Sequence, residues 1–166
     1  MTRQSLSLVL CMATLLYVAT VTAALPQPPD VVDKLFGYQE RLEKLSDAIT
    51  RRQTDLLAQD QHMSVAYGQL ELLSITLSIV TSDLLALANM LTVEELVTQE
   101  SNIKRARARV DKYRAYVVRG LSNRLKTLEN FLTKAADAET GRLLLDSRDA
   151  LKEIGTFLER PAYLPR

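Results

Sequence analysis

The chain has 166 residues, with 21 Lys and Arg against 20 Asp and Glu, one His and one Cys. A near-neutral balance with few aromatics speaks against nucleic acid as the partner, which calls for a basic footprint and stacking side chains. A lone cysteine excludes an internal disulfide framework, so stability has to come from apolar burial.

The chain opens with Arg3, an apolar run from Leu6 to Ala19 and the small residues Val21-Thr22-Ala23. This is the pattern of a secretory signal peptide over 1–23. The apolar stretch from Leu6 to Ala24 comes close to the ~20 residues that span a bilayer. Pro26, Pro28 and Pro29, in a Pro-rich linker at 24–29, favour cleavage over anchoring. The expectation is a secreted, extracellular protein without cofactor. Removal of 1–23 takes away Arg3 and Cys11, leaving 20 bases, 20 acids and no cysteine.

All five prolines lie at the two ends of the chain, so 30–160 lacks the residue most damaging to helices. Asp30 is placed to cap a first helix, with Asp33 in its first turn. Leu35, Leu42, Ile49, Leu56, Met63, Leu70, Leu77, Leu84 and Leu91 follow in unbroken heptad register. A second line three residues on (Tyr38, Leu45, Ala66, Leu73, Val80, Leu87) fails at Arg52 and Gln59. One helix over this span would be about 85 Å long, so a break is expected near Gln59 to His62.

From Gln61 to Leu91 the only acids are Glu71 and Asp83, and no Lys or Arg occurs between Gln53 and Ile103. This predicts a central helix buried nearly all round. The alternation from Leu73 to Ile79 also fits a strand, but no second strand is at hand to pair with it. Only 11 uncharged residues separate Glu71 from Asp83, too few for a membrane span.

Thr92-Val93-Glu94-Glu95 reads as a capping box opening the third helix. Leu96, Ile103, Val110 and Val117 point inward there. The phase then shifts by four at Gly120, where a kink or short break is expected, and continues through Leu121, Leu125, Leu128, Leu132 and Ala135. Gly141 reads as a helix stop. Leu144, Leu151, Ile154 and Leu158 form a last helix before Pro161, with 161–166 as a flexible tail. The fold expected is all-α: one domain over 30–160, an antiparallel bundle of four or five long amphipathic helices without disulfides. Heptads of this kind also fit pairing between copies of the chain.

Charge carries the functional signal. Residues 104 to 126 hold nine bases and one acid, Asp111, whereas 61 to 103 hold five acids and no base. At 3.6 residues per turn, Arg105, Arg109, Lys112 and Arg119 form one strip with Tyr116 between them, and Arg107 and Arg114 widen it. One reading is a solvated face, partly neutralised by Glu40, Glu43, Asp47 and Asp55 of the first helix. The other is a docking face for an anionic partner, a sulfated glycan or an acidic patch on an extracellular protein. In its concrete form this is a non-enzymatic inhibitor or modulator of an extracellular enzyme cascade. Its cations would steer the partner, and Tyr113 or Tyr116 would anchor it. The rival class is a lipid or apolar-ligand carrier whose amphipathic helices open onto a lipid surface.

Enzymatic roles find little support. Without Cys11 there is no thiolate, and His62 sits beside a predicted turn with no Glu-x-x-His pattern for a metal. Glu94-Glu95 suits a helix start and Asp137 with Glu139 a helix end. The five glycines are isolated, so no phosphate loop exists. Arg51-Arg52 and Lys104-Arg105 resemble processing sites, but both lie within strongly periodic helices and lack a preceding amidation glycine.

Overall fold

The computed structural model describes residues 31–159 as an all-α bundle: α1 (Val31–Ala58), α2 (Val65–Glu95), α3 (Glu100–Leu132) and α4 (Ala138–Glu159). There are four helices and no strand among the described residues. The signal peptide expected over 1–23, the linker 24–29, the Asp30 cap and the tail 161–166 lie outside them.

The heptad line supplies the core. Leu35, Leu42, Ile49 and Leu56 of α1 and Leu70, Leu77, Leu84 and Leu91 of α2 are all buried, as are Leu73, Val80 and Leu87 of the second line. Val110, Val117, Leu121 and Leu128 of α3 meet them, with Leu144, Leu151, Ile154 and Leu158 of α4. Full burial of such a side chain contributes about 1.5–3 kcal/mol. Each helix packs on two neighbours: α1 on α2 and α4, α3 on α2 and α4. α2 and α4 also touch across the centre, which leaves α1 and α3 on the wider diagonal.

The heptad is interrupted where the chain turns. Met63 is 87 % exposed, in the link between Ala58 and Val65. Asp60 adopts φ 58° there, a left-handed conformation that Asp tolerates better than most residues. Ser64 then caps α2 by accepting from the Tyr67 amide at 3.2 Å. The region 73–79 is helix. The Thr76, Ser82 and Thr92 hydroxyls donate to the carbonyls of Leu72, Ser78 and Ala88, so these three polar groups are satisfied within the helix.

Several expected boundaries move. Thr92 to Glu95 do not open a helix: they finish α2, and α3 starts at Glu100 behind Gln99, whose side chain makes no cap bond. Leu96 is exposed in the intervening link. α3 runs unbroken through Gly120, because steps of three, four and seven residues all return to one helix face. Val117, Leu121 and Leu128 are therefore buried together without a break. Ala135 lies exposed in the α3–α4 link.

Gly141 is inside α4 rather than at a stop, because Asp137 starts that helix by accepting from the Thr140 amide at 2.8 Å and its hydroxyl at 2.9 Å. Burial raises the Asp137 carboxyl, but those two bonds and the Arg52 guanidinium outweigh it and hold the group below its ordinary range. Buried Gln69 of α2 pins the same link, donating to the Lys134 carbonyl at 2.9 Å and accepting from the Ala136 amide at 3.2 Å.

The largest departure concerns α2, which is not buried all round. Leu72 is 51 % and Ile75 52 % exposed, and Val65, Ile79, Leu85 and Val93 are exposed too. One side of α2 meets the other three helices, and no described element covers its outer side.

Candidate functional site

The basic segment forms most of α3, where unbroken helix keeps Arg105, Arg109, Lys112, Tyr116 and Arg119 on the outer surface. Val110 and Val117 on the opposite side are buried and fix that rotation. Among the described side chains, Arg105, Arg109, Lys112 and Arg119 have no acid within ion-pair distance. The acids expected to neutralise them are on α1, across the wider diagonal. There Glu40 pairs with Lys44 at 2.6 Å, and Glu43 accepts from Gln39. The hydrogen bond and charge of Lys44 hold the Glu40 carboxyl below its usual range.

Two members of the strip have structural partners. Arg107 Nε donates to Glu94 Oε1 at 2.7 Å, and the Glu94 side chain is only 5 % exposed against 44 % for Arg107. A carboxylate so deeply placed depends on that guanidinium. Arg114 is half-buried, donating to the Leu158 carbonyl at 3.1 Å and pairing with Asp111 at 3.4 Å. Both tie α3 to a neighbouring helix as well as adding to the surface field.

The tyrosines divide likewise. Tyr113 is half-buried and its hydroxyl donates to Asp83 Oδ1 of α2 at 3.0 Å. Burial, followed by that bond and the Asp83 charge, pushes its pKa up to about 12. Tyr116 is 60 % exposed, with ring centroids 5.8 Å apart between the two. Tyr116 is the ring that faces outward.

Between α2 and α3 lie two crevices of about 560 and 450 Å³ that share Met90 and Arg109. Val93, Val97 and Ala106 line the first beside Arg105, and Lys112, Tyr113 and Tyr116 line the second. Comparison with protein-family models, curated proteins and solved structures finds no match. The face therefore has to be read from its own chemistry. It offers unpaired cations, a phenol ring and aliphatic surface, which are groups that bind. His62 is exposed beside Asp60 in the α1–α2 link, and no cluster of three or more His, Cys, Asp or Glu suited to a metal occurs among the described residues.

Glu94 and Asp83 are the residues that sequence reasoning missed. Glu94 lies inside the Thr92-to-Glu95 stretch that mimics a capping box, and Asp83 is simply a rare charge in an apolar run. The one available signal was their position: single acids inside an otherwise apolar helix tend to be paired when buried.

Proposed function

We propose that this protein is a secreted, non-enzymatic binding protein whose α3 face docks an anionic extracellular partner. The observation that carries the reading is the row Arg105, Arg109, Lys112 and Arg119, exposed and without acidic partners among the described residues, on a chain of near-zero net charge. A solvated face in a balanced protein normally mixes charges of both signs. Here Asp111, paired with Arg114, is the one acid against nine bases over 104–126, and the α1 acids lie across the diagonal, so the net field of this face is positive and favours encounter with a polyanion or an acidic protein patch. Tyr116 supplies a rigid ring in the middle of the row.

The reading includes an antiparallel bundle of amphipathic helices. In support, Arg52 pairs with Asp137 and Glu139 while Arg41, about three turns earlier on the same side of α1, pairs with Glu153. Tyr113 with Asp83 and Arg107 with Glu94 follow the same reversed order between α3 and α2.

The test is retention on immobilised heparin across a salt gradient, for the parent and for the R105E/R109E/K112E variant. The parent should be retained and the variant should elute at low salt with unchanged helicity and melting. Equal early elution of both would refute the docking face. A large loss of stability in the variant would make the row structural.

A further inference from the structure

The outer side of α2 and the cations of α3 belong to one surface. Leu72, Ile79, Ala86 and Val93 follow at steps of seven, with Ile75 beside them, so they share one flank of α2. Val93 lines the same crevice as Arg105 and Arg109, and Met90 the same one as Lys112 and Tyr116. The apolar flank therefore runs directly into the cationic row. Over a stretch long and apolar enough to pass for a core helix, α2 is less than half buried. A core helix would be mostly hidden, whereas here Leu72, Ile75 and Ile79 meet solvent. A contiguous exposed apolar patch on a soluble bundle marks a site of interaction.

From this arrangement we infer that the anionic partner is a lipid surface: the α2–α3 side lies flat on a bilayer carrying anionic headgroups. The inference rests on the docking reading above and adds the partner's class. Leu72, Ile75, Ile79 and Val93 enter the boundary of headgroups and acyl chains, while Arg105, Arg109 and Lys112 meet phosphates along the edge. Tyr116, apolar in its ring and polar at its tip, suits the depth between them. Charge complementarity selects this occupant over a second copy of the chain, since pairing two such faces would bring the two cationic rows together. The bundle need not open, because the apolar side chains are already outside. Glu71 and the Asp83–Tyr113 pair, together with the packed inner face of α2, fit a helix lying at the interface rather than crossing it.

Flotation with vesicles tests the inference, using phosphatidylcholine containing phosphatidylglycerol against phosphatidylcholine alone. The parent should float with the anionic vesicles and remain partly bound at high salt. L72Q/I75Q/I79Q keeps the cations and uses good helix formers at exposed positions. It should lose at least about tenfold in partitioning while heparin retention is unchanged, and R105E/R109E/K112E should lose both. The chain has no Trp, so Ile79→Trp provides a single reporter whose emission should shift to the blue on anionic vesicles.

A parent that binds heparin but fails to float overturns the lipid inference and leaves the docking face standing. Failure of the parent in both assays removes both. Unchanged flotation of the Gln variant, or no blue shift of the Trp reporter, also overturns it. So does light scattering that shows a dimeric parent and a monomeric Gln variant, which would make the occupant a second copy.

Discussion

Replacing Arg107 by Met removes the guanidinium that faces buried Glu94. At 2.7 Å and an effective dielectric of ~20, the gross attraction is about 6 kcal/mol, most of it offset by the cost of taking both groups out of water. Breaking a fully buried pair costs about 3–5 kcal/mol. Because Arg107 keeps 44 % of its exposure while Glu94 keeps 5 %, the expected loss falls below that range, at about 2–3 kcal/mol. For a domain of this size that is a drop of roughly 8–12 °C in Tm. E94Q keeps an acceptor and leaves Arg107 near water, so its cost should be smaller.

Denaturant unfolding followed by circular dichroism, run on R107M, E94Q and the double variant, closes the cycle. The double variant should be at least about 1 kcal/mol less destabilised than the sum of the singles. R107M should also keep nearly all of the parent's heparin retention, which separates this residue from Arg105, Arg109 and Lys112. Additive single effects, or a loss below about 0.5 kcal/mol for R107M, would refute the reasoning and return Arg107 to the exposed strip.

Two further expectations concern the helix links and the α2–α3 seam. Gln69→Leu leaves the Lys134 carbonyl and Ala136 amide without their partner, at a cost of about 2 kcal/mol. Hydrogen exchange should show the Ala136 amide losing protection ahead of the core, and unchanged exchange there would mean that the link holds itself. Tyr113→Phe removes the donor to Asp83 and should cost about 1 kcal/mol at neutral pH. Because the Tyr113 pKa is raised in the folded protein to about 12, the hydroxyl's contribution is complete below the ordinary value of ~10. It is lost as pH climbs toward the folded value. The stability gap between parent and Y113F should therefore close over that range, and a constant gap would show that the hydroxyl is not held by Asp83.

Much of the fold was legible in the chain alone. Proline confined to the ends and leucines at steps of seven determined that the described region is helical and which residues form most of its core, Met63 excepted, and the failure of the second apolar line at Arg52 and Gln59 placed a turn near 59–62. Those signals are properties of one helix at a time, because spacing along a chain fixes which residues share a side. The capping motif at Thr92 misled because a hydroxyl followed by acids is equally at home in a last turn, where Thr92 bonds back to Ala88 and Glu94 finds Arg107.

The scarcity of charge from Gln61 to Leu91 predicts burial nearly all round, but composition alone cannot tell a helix with four neighbours from one with an open side. Only the packing order of the helices decided that α2 keeps an uncovered apolar flank and that the α1 acids are on the diagonal away from α3. Only that order brings the flank against the cations of α3. Contact between helices depends on their relative rotation and sequence around the core, and those are settled by all four apolar faces together.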